Sequence, residues 1–171
     1  MKKLLFLTLT ALLVMGGNAL FAQATANVTL NVNLAAWYNL SIGAAAVTFT
    51  DVEPTPGAAP ANVAIAGSPA NVSVAAFAIC GPAQNLTLTV KAATDLVSGG
   101  NTIPIGAITW TATGAGYSAG TMTIAGSSAG TWTGSILHYH TGTFSYSFLR
   151  NYSTQAPGNY SATTTYTLSA T

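Results

Sequence analysis

Charged side chains are scarce in this chain of 171 residues, which has four Lys and Arg and three Asp and Glu. Lys2 and Lys3 stand at the very start. The other five are Lys91, Arg150, Asp51, Glu53 and Asp95. Binding to nucleic acid or to an anionic membrane requires basic patches, which these residues cannot supply. Soluble monomers also use charge to keep their copies apart. We therefore expect a surface of hydroxyl and amide groups that is partly covered by other copies of the chain.

Cysteine is limited to Cys80, which excludes a disulfide within the chain. It ends the alternating run "NVSVAAFAIC" on the apolar side of that run. This position predicts a buried thiol that behaves as a small hydrophobic group. A disulfide between two copies is the alternative.

Groups that could perform catalysis are equally few. Acid–base chemistry needs positioned titratable side chains, and Asp51 and Glu53 fall in the proline-rich stretch "TDVEPTPG", where solvated carboxylates are expected. The sequence has no Gly-x-Ser-x-Gly elbow, no phosphate-binding loop and no pair of metal-binding cysteines. It therefore predicts a protein that is not an enzyme, with no catalytic residue and no cofactor.

The motif "HYH" is the most specific chemical feature. His138 and His140 would lie on one face of a strand, where they could share a metal ion. A stable site needs a third or fourth ligand, for which the chain offers few candidates. We therefore expect no metal site, and instead an exposed or interface-facing pair of histidines.

The start of the chain has the pattern of a secretory signal peptide. Lys2 and Lys3 precede an apolar run at residues 4–15, and small residues follow it. The run is short for a membrane span, although an uncleaved anchor is the alternative. We expect a signal peptide over residues 1–22, with cleavage after Ala24 as a second option. Residues 23–171 would then form one exported domain, secreted or held at the cell surface.

The rest of the chain alternates apolar and polar residues at a period of two. Runs such as "NLTLTV" and "ITWTAT" are separated by Gly, Pro and Ser turns, which predicts eight to ten short strands in an antiparallel sandwich or barrel. Threonine pairs spaced 10 to 12 residues apart, from Thr109 to Thr143, fit a meander better than a β-solenoid. The fold class is therefore all-β.

Both ends of the domain alternate cleanly. In "TANVTLNVNL", residues 25–34, one face is apolar, and its members are Ala26, Val28, Leu30, Val32 and Leu34. In the final run "YSATTTYTLSA", Tyr160, Tyr166 and Leu168 share one face while the other carries hydroxyls. Each pattern predicts a half-buried strand.

These two ends, on a secreted body with few charges, resemble the fimbrial subunits and spore-coat-protein-U-like β-sandwiches of bacteria. The resemblance implies an immunoglobulin-like sandwich that lacks one strand, with the gap filled by the arm of the next subunit. Other copies of the chain would be the main partners, with a periplasmic chaperone or an outer-membrane assembly protein as further partners. The function implied is that of a structural subunit of an extracellular filament.

Two alternatives stay open at this stage. Residues 25–34 could be the domain's own first strand, because "LAAWYNLSIG" follows without a Gly or Pro hinge. The protein could also be a secreted module that adsorbs to carbohydrate through Trp37, Trp110 and Trp132, or to ice through ranked threonines. At strand parity the tryptophans share faces with aliphatic residues, so we expect them to pack in the core.

Overall fold

The computed structural model describes residues 26–54 and 62–171. The predicted signal peptide over residues 1–22, the first residue of the predicted arm and most of the turn "EPTPGAAP" lie outside the described residues. The chain divides into two units, Met1–Leu34 and Ala35–Thr171. No helix in the described part is long and apolar enough to cross a bilayer.

In the first unit, residues 26–34 form no strand, and every one of them is exposed. Four aliphatic side chains are more than four-fifths exposed: Val28 82%, Leu30 85%, Val32 81% and Leu34 87%. A half-buried strand was expected here, and for the single chain that expectation is wrong. Alternation supplies an apolar face, but a strand also needs a neighbour to take up its backbone hydrogen bonds. We refer to residues 26–34 as the arm.

The second unit is built from antiparallel strands, which confirms the all-β prediction. Its described residues form eleven strands and one turn of 3₁₀ helix, Ile105–Ala107. The strands are β1 (Trp37–Ile42), β2 (Val63–Ala66), β3 (Val72–Ile79), β4 (Leu86–Ala92), β5 (Leu96–Ser98), β6 (Asn101–Ile103), β7 (Ile108–Thr113), β8 (Gly120–Thr121), β9 (Ser127–Trp132), β10 (Leu137–Arg150) and β11 (Thr164–Ala170). The final strand begins at Thr164, so Tyr160 precedes it.

The strands form two main sheets that pack into a sandwich-like fold. One sheet has the order β1-β3-β10-β7-β8, with β2 also paired to β10, and the other has the order β11-β4-β9. The short strands β5 and β6 form a separate hairpin. The predicted meander is wrong, because β8, β9 and β10 follow one another in the chain without being paired to one another. The strands that carry the threonine pairs are thus distributed over the two sheets.

The core lies between the two sheets, where the apolar sides of β3, β4 and β10 meet. Trp110 and Trp132 are buried, as predicted, and so is Cys80. Trp37 is 66% exposed, so the prediction that it packs in the core is wrong. Phe144 lies at the centre with no exposed surface, and its ring packs against those of Trp110, Tyr117, Tyr146 and Tyr166.

Phe144→Ala is expected to lower the free energy of unfolding by about 3–5 kcal/mol, because it removes a fully buried ring and leaves a cavity. Urea unfolding of the monomer at low protein concentration measures this loss. Tyr139→Ala is the matched control, since Tyr139 is an aromatic residue on the same strand but is 69% exposed, and its replacement should cost about 0.5 kcal/mol or less. Equal losses in the two variants would contradict the assignment of Phe144 to the centre of the core.

Candidate strand-acceptor groove

A groove of about 590 Å³ opens on the second unit where the two sheets end. Residues 44–49, which follow β1, line one side of it, and residues 156–164, which lead into β11, line the other. The floor is apolar and includes Ile65, Val72, Ile105, Met122 and Phe148. Buried side chains of the core thus form the base of this groove.

The charged groups that line the groove pair with each other. Arg150 donates from Nε to a carboxylate oxygen of Asp51 over 3.1 Å. Its guanidinium also donates to the backbone oxygen of Gln155 and lies 4.8 Å from the ring centroid of Tyr152. Arg150 is only 8% exposed, so this pairing keeps a buried cation satisfied. The groove therefore holds its cation and carboxylate as an ion pair beside an apolar floor.

Two tyrosines connect the sheets at the groove. The hydroxyl of Tyr146 on β10 forms a hydrogen bond with the hydroxyl of Tyr166 on β11. Burial is the main reason that the pKa of Tyr146 lies far above its ordinary value, and burial also raises the pKa of Tyr166. Both hydroxyls thus stay neutral. Of the predicted C-terminal residues, Tyr160 and Tyr166 line the groove, and Leu168 packs against the core.

Strand β11 offers a free edge beside the groove. Its other edge is paired to β4, and hydrogen bonds join Ala93 to Thr163 and Asn85 to Thr171. Antiparallel strands alternate between bonded and non-bonded positions, so every second residue of β11 turns its N–H and C=O away from β4. These residues are Thr164, Tyr166, Leu168 and Ala170. In the part of the chain that the structure describes, no further strand is paired to this edge.

This edge is open to an added strand. Natural edge strands usually carry Lys or Pro to prevent pairing with another chain, and β11 has neither in "TTYTLSA". At about 3.3 Å per residue, the seven residues of β11 span about 23 Å, and the nine-residue arm could reach about 30 Å. The arm is therefore long enough to pair along the whole of a β11 strand.

The histidine pair lies away from the groove, near the start of β10. His138 is 1% exposed and His140 is half-buried, so the expected exposed pair is wrong. Nδ1 of His138 lies 3.2 Å from Nε2 of His140, and Nε2 of His138 has no hydrogen-bond partner. The ring of His140 stacks on Trp132 at 4.5 Å between centroids. Among the described residues, no three His, Cys, Asp or Glu side chains are grouped to hold a metal ion.

His140 should make the fold less stable in mild acid. Burial, with a smaller contribution from His138, lowers the pKa of His140. The unfolded chain binds a proton near pH 6.5 where the folded chain resists it, so stability is full above that pH and falls as the pH drops below it. We expect a lower urea midpoint at pH 5 than at pH 7.5, and a smaller difference for His140→Gln. A midpoint that does not change over this range would contradict this.

The tryptophans and threonines on which the alternative functions depend lie in different parts of the fold. Trp110 and Trp132 are buried, so the three tryptophans cannot form one platform. The hydroxyls of β4 and β9 face outwards in register, but a register shift between Leu88 and Thr89 interrupts the rows. The rows of hydroxyls are therefore not continuous between β4 and β9.

Sequence reasoning missed the walls of the groove. Val47 and Phe49 alternate with Thr48 and Thr50, a pattern typical of a strand, but the structure has only an isolated bridge from Thr48 to Ser68 there. Both side chains instead line the groove. Local alternation carried the signal that they face the interior, but not that they line a groove.

A scan against models of protein families found no match to this chain, and a search of curated proteins found none either. Function must therefore be argued from the groove, the free edge and the arm.

Proposed function

We propose that this protein is the structural subunit of an extracellular filament, whose copies join by adding a strand. The arm of one copy would pair along the β11 edge of the next copy. Its apolar side chains, Val28, Leu30, Val32 and Leu34, would then enter the groove. The observation that carries this proposal is that one chain exposes both an alternating apolar arm and a groove with an apolar floor, beside an edge of β11 to which no other described strand is paired.

The physical basis is β-augmentation. Backbone hydrogen bonds to an added strand supply affinity, and alternate side chains entering pockets fix its register. Burying four aliphatic side chains is worth about 6–12 kcal/mol before ordering costs, at roughly 1.5–3 kcal/mol each. The groove is the complementary surface, because its floor is apolar and its two charged groups already pair with each other.

The composition supports assembly outside the cell. The signal-peptide pattern at residues 1–22 would direct export. Because the body carries few charges, electrostatic repulsion between copies would be weak. Partners are accordingly other copies of the chain, and assembly could be assisted by a periplasmic chaperone or an outer-membrane protein. No catalytic activity is part of this proposal.

Electron microscopy and sedimentation of the purified mature chain test the proposal. Residues 23–171 should form filaments, and the same chain without residues 23–34 should not. A full-length mature chain that stays monomeric at high concentration would count against the proposal.

The alternative, a secreted module that adsorbs to carbohydrate or to ice, has less support. Trp37 is the exposed tryptophan, and the threonine rows are interrupted between Leu88 and Thr89. A glycan pull-down and a thermal-hysteresis assay on the monomer are the direct tests of this alternative.

A further inference from the structure

An apolar patch lies on the outer face of the six-stranded sheet, at one end of β1, β3 and β10. Trp37, Ile79 and Leu137 sit directly opposite one another across the three strands. In the next row, Phe77 of β3 lies opposite Tyr139 of β10. Trp37 is 66% exposed, Leu137 59% and Tyr139 69%. Contiguous exposed apolar patches of this kind mark interaction sites on soluble proteins.

The rest of this face is different. Further along the same strands, the outward positions of β10 and β7 carry hydroxyl groups in matching rows, Ser145 opposite Thr111 and Ser147 opposite Thr109. The patch itself contains no charged residue. The middle of this face thus carries hydroxyls, whereas the end formed by Trp37, Ile79 and Leu137 is apolar.

We infer that this patch packs against the copy that accepts the arm, as a second contact between successive subunits. The inference rests on the proposed function and follows from the covalent connection. Trp37 is three residues beyond Leu34, so at about 3.3 Å per residue it lies within about 10 Å of the point where the arm leaves the groove. The patch therefore has to lie close to the acceptor copy.

The acceptor has apolar side chains where this contact would form. Antiparallel pairing, the more stable arrangement, brings Leu34 to the beginning of the acceptor's β11. Val97 is bridged to Ser161, just before β11, and is 43% exposed. Val52 follows Asp51, a residue of the groove lining, and is 54% exposed. The patch on the donor copy and these exposed side chains on the acceptor copy are thus both apolar.

The composition of the patch favours a protein partner over a sugar. Aromatic rings stack on sugars, but the aliphatic side chains of Ile79 and Leu137 have no such role and gain only from apolar burial. A second copy of this chain supplies that apolar surface, whereas a glycan offers mainly hydroxyl groups.

Quenching of tryptophan fluorescence by acrylamide tests the inference on the mature chain. Trp110 and Trp132 are buried, so Trp37 supplies the quenchable emission of the monomer, and Trp37→Phe verifies this. With Leu30→Asp as the monomeric reference, filaments should lose most of this quenching. Leu137→Ser should still form filaments, but these should dissociate at roughly tenfold higher protein concentration. Ile124→Ser, which alters an aliphatic residue that is 50% exposed elsewhere, should leave dissociation unchanged.

The outcomes separate this inference from the proposed function. A mature chain that forms no filaments overturns both. Filaments in which Trp37 stays fully quenchable, or in which Leu137→Ser dissociates like the unaltered chain, overturn the second contact alone. Protection of Trp37 in the monomer by a soluble glucan identifies a sugar platform and also overturns it.

Discussion

Leu30→Asp is expected to keep the mature chain monomeric under conditions in which the unaltered chain forms filaments. Leu30 is 85% exposed in the single chain, so the substitution should not disturb the fold. In the filament it would remove about 1.5–3 kcal/mol of apolar burial and place a carboxylate in an apolar groove, at a further cost of several kcal/mol. Together these losses weaken each joint by a hundredfold or more, at about 1.4 kcal/mol for each factor of ten.

Asn31→Asp is the matched control. It adds the same charge at the next position, on the polar side of the arm, which faces away from the groove under the proposed register. Sedimentation velocity should show polymers for Asn31→Asp and a single small species for Leu30→Asp. If both variants assemble, or both fail, the apolar side of the arm is not what joins the copies.

Ala162→Glu is expected to block assembly from the other side of the joint. Ala162 is half-buried and lines the groove just before β11, so a larger, charged side chain there would obstruct an entering strand while the sandwich still folds. Thr165→Glu is its control, because Thr165 is exposed, pairs in register with Lys91 and does not line the groove. Circular dichroism should show both variants folded, and only Ala162→Glu should fail to polymerise.

Mixing the two defective variants gives a sharper result. Leu30→Asp keeps an intact groove, and Ala162→Glu keeps an intact arm, so one joint can form between them and no second joint can follow. We expect heterodimers, without any species that contains more than two subunits. Restoration of long polymers in the mixture, or a mixture that stays entirely monomeric, would contradict a joint made of one arm and one groove.

Local patterns were enough to predict the fold class, and the reason is physical. Alternation at a period of two reports that a segment has two unlike faces, and this holds for β3, β4, β10 and β11. The order of strands depends on contacts between distant segments, such as β1 with β3 and β4 with β9. Local spacing carries no record of these contacts, so the predicted meander failed.

Alternation also does not say which face is buried. On β1, Trp37 shares one face with Asn39 and Ser41, and Leu40 shares the other with Ile42. Trp37 was expected to share its face with aliphatic residues and so to pack in the core, but the structure puts Leu40 and Ile42 against the core. The same limit applies to His138, which occupies an inward position that its polarity did not predict.

The arm and the groove differ in how far the sequence reveals them. The apolar side of the arm is a property of consecutive residues and is visible in the sequence itself. The groove is formed by residues 44–49, by residues 156–164 and by floor residues from several strands. Only the fold brings these together, so local patterns could not identify the residues that form the groove.

Amide hydrogen exchange on β11, compared between monomer and filament, tests the central claim most directly. The N–H groups of Tyr166 and Leu168 face the free edge, whereas those of Thr165 and Thr167 already bond to β4 and serve as internal controls. We expect exchange at Tyr166 and Leu168 to slow by roughly a hundredfold or more on assembly, with the controls protected in both states. Filaments in which Tyr166 and Leu168 exchange as fast as in the monomer would contradict the account.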